Sequence, residues 1–330
     1  MHGKLKKNKK YKSGGWRVFG VSYKPEDSLY KHLVFALKYE GVNLLVLKKL
    51  FQFLGQSKII QLIQLEPTGQ YSRRIWFLYE WLFDKKLALA DAYRKIKYVE
   101  LLDKKRQYAI DNGLRSTRHR IINNLPGTRN FCPLVFRTDK LNNYIKANLS
   151  EQQNNYFKHI SKNVLQRVSA FLLLKDSKAS FSIEGESPKS KRAMHWSKAI
   201  GQAGTKPLTK EKLIYLQKTV IVDTRFVDMG FRRKGGFVGE HDRETGMPLP
   251  EHISAKCQDL DMLIKGLVVT DQFLEEMDFD AVIAAAMVAF GFVFIHPFQD
   301  GNGRIHRYLI HHILARKNFP QQGIIFPISA

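Results

Sequence analysis

The most strongly apolar stretch of the chain is Ala281–Ile295, which carries no charge and has no polar face. It is too short for a membrane span and predicts a buried core helix, the central helix of a bundle. A polar, glycine-bearing loop follows at His296. Leu309, Ile310, Ile313 and Leu314 then recur at helical spacing, so a second helix is expected over 305–317. Upstream, Thr209 as N-cap, Glu211 in the first turn, and Leu213, Leu216 and Val220 on one face predict a helix ending before Gly230. The period changes over 231–250, where Gly235, Gly236, Gly239, Gly246, Pro248 and Pro250 predict a loop-rich β-hairpin. Helices are expected again over 252–267 and 278–295.

The first half also reads as helical. Leu29, Leu33, Val34 and Leu37, then Leu44, Leu47, Leu50 and Leu54, follow the helical repeat, punctuated by Gly41 and Gly55. Ser72 is the expected N-cap of an aromatic helix holding Ile75, Trp76, Tyr79 and Leu82. A loop at 123–128 precedes a short apolar run, 131–136, broken by Pro133. A helix through Tyr156, Ile160, Val164, Val168 and Leu172 joins the two halves, and another is expected from Pro188 to Ile200. There is no internal repeat. The pattern predicts a mainly α protein with a helical N-terminal module over 18–150, linking helices over 151–207, and a helical core with one hairpin over 208–330.

A chain of 330 residues with 44% hydrophobic content suits two globular domains. Lys and Arg number 54 against 30 Asp and Glu, a net charge of +24 that favours nucleic acid or another polyanion as a partner. The stretch before Glu26 contains no acid. Its first part, 1–17, is expected to be a disordered basic arm, either a weak electrostatic tether or, the plainer reading, a solvated tail. No zinc-finger spacing or RNA-binding aromatic motif accompanies the charge, while a helix-turn-helix in the first module stays open. A nucleic-acid-binding regulator is therefore the alternative class to an enzyme. Two cysteines, Cys132 and Cys257, build no disulfide framework and point to a reducing compartment. No apolar leader follows the first lysines, and cytoplasm is the expected location, with no membrane partner. The apolar stretch 323–330 is expected to lie uncovered and to favour self-association, in the simplest case a homodimer.

The chemistry concentrates in His296-Pro297-Phe298-Gln299-Asp300-Gly301-Asn302-Gly303-Arg304-Ile305-His306-Arg307. Backbone N–H groups freed by Gly301 and Gly303 form an anion nest, and the positive end of the next helix points at the same place. Arg304 and Arg307 add bidentate charge, Asp300 can hold a divalent ion, and His296 can take a proton. His306, His311 and His312 are assigned to packing or surface. Neighbours such as the last two point about 100 degrees apart on a helix and are poorly placed to share one metal.

This stretch matches H-P-F-x-D-G-N-G-R-x-x-R at all nine fixed positions and resembles the active-site loop of the Fic-domain family. Ser180-Phe181-Ser182-Ile183-Glu184-Gly185 is in turn similar to the S/T-x-x-x-E-G/N inhibitory motif of that family. The resemblance implies a Fic-type helical bundle with a small hairpin flap. It also implies a protein adenylyltransferase of the AMP-transferring branch, using ATP with Mg²⁺ or Mn²⁺. In that scheme Gly301, Asn302, Gly303, Arg304 and Arg307 bind the nucleotide, and Asp300 holds the metal. His296 deprotonates a target Ser, Thr or Tyr hydroxyl, and Asn302 assists the transition state. Ser180, Glu184 and Gly185 would form the inhibitory helix, with Glu184 on Arg307 in place of the γ-phosphate. The 231–250 hairpin would hold the target protein as an added strand. Removal of AMP, or use of another nucleotide donor, is compatible with the same residues.

Overall fold

The computed structural model describes residues 10–13, 16–148, 151–152, 155, 160–187, 189–221, 225, 227–319 and 326–330. The chain divides into two compact units. Unit 1 comprises Met1–Arg106 and Leu114–Asn123, and unit 2 comprises Gln107–Gly113 and Asn124–Ala330. Its described regular structure is mainly α. No helix among the described residues is long and apolar enough to cross a membrane.

In unit 1, β1 (Lys10–Ser13) pairs antiparallel with β2 (Trp16–Phe19). The expected disordered arm over 1–17 is corrected for these residues, while 1–9 and 14–15 lie outside the described part. The reason is local packing, since the Phe19 ring sits 5.2 Å from both Phe35 and Tyr39 on the following helix and ties the hairpin to it. That helix, α1 (Leu29–Tyr39), starts on Ser28 and buries Tyr30, Leu33 and Leu37. Next, α2 (Leu44–Leu65) is capped by Asn43 and interrupted at Gly55, whose φ of 73° breaks the helical backbone. The aromatic helix α3 (Gln70–Phe83) begins at Gly69 rather than at Ser72. Ser72 lies inside it because its hydroxyl bonds the Tyr30 hydroxyl at 2.7 Å, a tertiary partner that outcompetes capping. Three short strands, β3 (Val99–Glu100), β4 (Leu114–Ser116) and β5 (Ile121–Asn123), form a sheet in the order β3-β5-β4. The expected mostly helical module thus includes a small sheet.

Unit 2 holds α4 (Asp139–Lys146), α5 (Lys162–Ile183), α6 (Ser190–Gly201) and α7 (Lys210–Val220). The hairpin β6 (Phe237–His241) and β7 (Pro248–Ile253) follows, then α8 (Leu260–Glu276), α9 (Ala281–Ile295) and α10 (Asn302–Arg316). Thr209 and Asp280 cap α7 and α9 through their side chains, as short oxygen-bearing residues do. One core joins Trp196 of α6, Leu213 and Leu216 of α7, Ile264 and Leu267 of α8, Val288 and Phe292 of α9, and Ile305 and Leu309 of α10. The hairpin runs three residues beyond its expected end, because Val238 pairs with His252 and Phe237 with Ile253. Helix α8 accordingly starts at Leu260, not 252. The expected helix through Tyr156 falls partly outside the described residues; α5 starts at Lys162 on a Ser161 cap.

Two further expectations change. The boundary at 150 moves, since the segment from Asn124 belongs to unit 2: Phe131 is part of its core, and the Thr270 hydroxyl donates to the Phe131 carbonyl at 2.8 Å. The C-terminal apolar stretch is not bare where it is described, since the Phe326 ring lies 5.7 Å from Phe319 and Ser329 N donates to Asp176. Helix α9 is likewise not buried all round, because Val282, Ala286, Phe290 and Phe294 are exposed at four-residue spacing.

Gly291 in the middle of α9 lies flat against the Phe131 ring, so an added Cβ would collide with that ring. Helix propensity alone would make Gly291→Ala more stable by about 1 kcal/mol. We expect the reverse, a loss of about 1–3 kcal/mol from overpacking. Urea unfolding of the two proteins checks the sign.

Candidate active site

The site is built from the ends of three helices. Helix α5 terminates at Gly185, whose φ of 74° places it in the left-handed region that glycine adopts without strain. Gly185 N bonds the Ser182 carbonyl and Glu186 N bonds the Phe181 carbonyl, both at 3.0 Å, a Schellman closure. Glu184 N also turns to Phe181 rather than to Ser180. The Ser180 carbonyl is thereby left for an outside donor, and Glu184 and Glu186 are carried to the same end of the helix.

That donor is Arg307, one turn into α10. Its Nε donates to Ser180 Oγ at 2.9 Å, and its Nη2 donates to the Ser180 carbonyl at 2.8 Å and to Glu184 Oε1 at 2.7 Å. The Glu184 carboxylate also rests on the first turn of α10, where a Cβ on Gly303 would strike it. Gly301, the N-cap of α10 with φ 95°, offers no side-chain cap. The carboxylate therefore lies where the partial positive charge of the helix favours an anion.

Arg304 is 1% exposed and bonds Glu186. Its Nη2 also lies 3.3 Å from Asp300 Oδ1. The other oxygen of Glu186 takes Arg192 of α6, and both guanidinium groups lie over the buried Phe181 ring, at 4.4 Å for Arg192 and 5.3 Å for Arg304. Burial, the largest single effect, raises the Glu186 carboxyl, but the hydrogen bonds and charges of Arg192 and Arg304 together outweigh it and hold the group below its usual range.

His296 ends α9 at φ 54°, a left-handed conformation that costs a non-glycine residue about 1–2 kcal/mol. Arg232 holds it there. Its Nε donates to the His296 carbonyl at 2.7 Å, its Nη1 to Lys234 O at 2.8 Å and its Nη2 to Ala255 O, while Arg232 N donates to Pro297 O at 2.9 Å. The base of the hairpin is thus fastened to the loop, and the rings of Phe231 and Phe298 stack at 5.0 Å beside it. Burial of the imidazole pushes the His296 pKa below its ordinary value, aided by the positive charge of Arg232 and opposed by the Val293 carbonyl. A neutral ring able to accept a proton follows at neutral pH.

The Asn302 side chain is bonded at both its oxygen and its nitrogen within the loop. Its Oδ1 accepts from Phe298 N at 3.0 Å and its Nδ2 donates to Phe298 O at 2.8 Å. Gln217 of α7, fully buried, accepts from Gly230 N at 2.7 Å and reaches the Asp300 carbonyl at 3.4 Å. The Asp300 side chain is 47% exposed. Among the described residues, no group of three His, Cys, Asp or Glu side chains forms a metal cage. A single half-exposed carboxylate still fits Mg²⁺, which takes one or two carboxylates and completes its shell with water and substrate phosphates.

Every site residue expected from the sequence thus falls within this one region of unit 2. The sequence reading missed Glu186, Arg192, Arg232 and Gln217. His311 and His312 lie elsewhere, 3.2 Å from Asp176 and 3.6 Å from Asp271.

Residues 207–314 match the model of the Fic/DOC family, so the chain carries a domain of that family over this span. The inhibitory-type segment lies upstream of it. Among solved structures, the chain is similar to a Fic domain containing signaling protein from Bacteroides thetaiotaomicron VPI-5482. The two are 20% identical with a TM-score of 0.34, covering 55% of this chain and 70% of that one.

The Asn302 staple has a measurable consequence. Asn302→Ala removes two buried hydrogen bonds and leaves the Phe298 N–H and carbonyl unsatisfied, so a loss of roughly 2–4 kcal/mol in unfolding free energy is expected. Denaturant unfolding measures it, and a loss below about 0.5 kcal/mol would show that the loop holds its shape without the staple.

Proposed function

We propose, with a Fic/DOC domain at 207–314 as the premise, that this chain transfers AMP from ATP to a Ser, Thr or Tyr hydroxyl of a target protein or of itself, and that Glu184 restrains it. Domains of this family are typically transferases that modify proteins. The observation that carries the finer reading is the Glu184 carboxylate lying on the N-terminus of α10 while bonded to Arg307. A carboxylate is a small stand-in for a phosphate oxygen, and its seat suits the end of a nucleotide polyphosphate.

The roles follow from the chemistry of each group. Arg304, Arg307 and the first amides of α10 bind and orient the polyphosphate, with the α-phosphorus near the loop. Asp300 would hold Mg²⁺, which supplies charge to the polyphosphate when bound. His296, neutral at pH 7, takes the proton of the attacking hydroxyl. As the hydroxyl oxygen bonds to the α-phosphorus, the bond to the bridging oxygen breaks, and pyrophosphate leaves with its charge spread over the arginines. Asn302 contributes by fixing the loop, and the second N–H of its amide is the donor it would offer the substrate. The hairpin edges at β6 and β7 are the proposed seat of a target segment added as a strand. While Glu184 holds Arg307, the far end of the polyphosphate has no partner there and sits out of line.

Incubation with labelled ATP and excess magnesium tests this, with autoradiography of the protein and of a lysate. Glu184→Gly removes a charge-assisted bond of about 1.5–3 kcal/mol, so labelling should rise about ten- to hundredfold over the parent. Labelling unchanged in that variant would sink the restraint. His296→Ala in the Glu184→Gly background should lose about 10²–10⁴ of the rate. Undiminished labelling there refutes the histidine as base.

The pH profile has a fixed sign. A base with a depressed pKa stays active as pH falls until that pKa is reached, so the acid limb of kcat/KM in Glu184→Gly should lie below about 6.5, the ordinary histidine value. A limb centred above that value would exclude His296 as its source.

A further inference from the structure

A second, partly open cleft of about 810 Å³ lies at helices α6 and α7, outside the active loop. Lys189, Lys191, Arg192, His195, Lys198 and Lys218 line it together with Tyr215, and among the described residues no carboxylate is in its wall. Among the described residues, no ion pair engages Lys189, Lys191, Lys198 or Lys218. Arg192 Nε is buried without a hydrogen-bond partner. Like charges gathered in a concave wall repel one another and focus a positive potential, which an anion of matching size relieves. The volume lies within the roughly 300–1,000 Å³ typical of small-molecule sites. The one phenol ring, Tyr215, does not make the run of successive stacking platforms that a nucleic-acid strand uses in a charged groove.

Arg192 also reaches the active loop. Its guanidinium bonds Glu186, whose other oxygen holds Arg304, and its Nη2 donates to the carbonyl of Val220 at the end of α7. An anion in the cleft competes with Glu186 for this one cation. Drawing Arg192 away leaves Glu186 with half its partners, and Glu186 lies two residues from Glu184.

We propose that the α6/α7 cleft binds a small molecule bearing two or more phosphate groups, and that its occupant, by engaging Arg192, loosens the segment that keeps Glu184 on Arg307. The regulatory half rests on the restrained-transferase reading above, whereas the binding half stands without it.

Calorimetry with inorganic tripolyphosphate on the full chain tests binding. Lys198→Glu/Lys218→Glu changes two exposed side chains of the cleft, and Arg307→Ala removes a cation of the active loop. We expect binding to weaken at least about tenfold in the first variant, the worth of one charge-assisted bond, and to persist in the second. Binding lost in Arg307→Ala and kept in the cleft variant would put the anion on the loop and overturn the proposal. Binding of a single-stranded oligonucleotide through these lysines, with none of tripolyphosphate, would overturn it in favour of nucleic acid. For regulation, tripolyphosphate with magnesium in excess should raise self-labelling of the parent toward that of Glu184→Gly and leave Glu184→Gly unchanged. A parent that binds tripolyphosphate without faster labelling, beside an active Glu184→Gly, refutes the coupling. Silence of Glu184→Gly itself refutes the transferase reading and the regulatory half with it, while the calorimetry still decides the site.

Discussion

The first turn of α10 needs a negative charge. It begins on a glycine with no side-chain cap, its free amides and axial dipole make that end positive, and it carries Arg304 and Arg307 within the next turn. Two carboxylates from the end of α5 meet this demand, Glu184 at Arg307 and Glu186 at Arg304. Their delivery depends on how α5 stops. The closure at Gly185 turns the chain sharply enough that residues two apart face two arginines three apart, and it frees the Ser180 carbonyl for Arg307. A residue with a Cβ at 185 would strain that turn, and one at 303 would push Glu184 off the helix end.

The loop's legibility in the sequence followed from its contiguity. His296 through Arg307 occupy one turn and the start of one helix, so spacing alone places their groups together. Ser180 to Gly185 was readable for the same reason, as a short pattern at a helix end. Glu186 and Arg232 were not, because partners of theirs are distant in sequence: Glu186 lies 118 residues from Arg304, and Arg232 lies 64 from His296, while Arg192 lies six from Glu186, a separation outside the three- and four-residue spacings that pair side chains on a helix. In the sequence, Arg232 is one basic residue in a glycine-rich loop; only the tertiary fold shows that its guanidinium spans four carbonyls from the hairpin base and the loop. The errors in the fold have the same origin. Ser72 reads as a cap until Tyr30 claims its hydroxyl, and Phe131 reads as part of the first module until it is found against Gly291. Local propensity set the helices, and tertiary partners moved their ends and the unit boundary.

Rigidity is distributed unevenly over the site. The loop side is fixed twice, by Asn302 on the Phe298 backbone and by Arg232 on the carbonyls of Ile295 and His296, which keeps a left-handed histidine in a conformation it would not hold alone. Both clamps use backbone groups that do not ionise, so they persist whatever happens at the arginines. The α5 side is held to α10 chiefly by charge. Under the proposed restraint, this division would let the loop geometry survive when Glu184 leaves.

The two carboxylate–arginine pairs are unequal, and under the proposed restraint the inequality would set an order of release. Arg307 is 13% exposed and Glu184 31%, so water and competing anions reach that pair, and its worth is that of a partly screened contact. Arg304 is 1% exposed, and removing its only strong partner would strand a buried charge at a cost of about 3–5 kcal/mol. Asp300, 3.3 Å away, softens that cost by offering a second carboxylate. On the proposed function Glu184 would be the latch and Glu186 the anchor: an incoming polyphosphate would displace the first while the second keeps the segment close enough to re-engage. Complete detachment of the segment would need the anchor weakened as well, and Arg192, which shares Glu186 with Arg304, is the group through which the proposed cleft would do so.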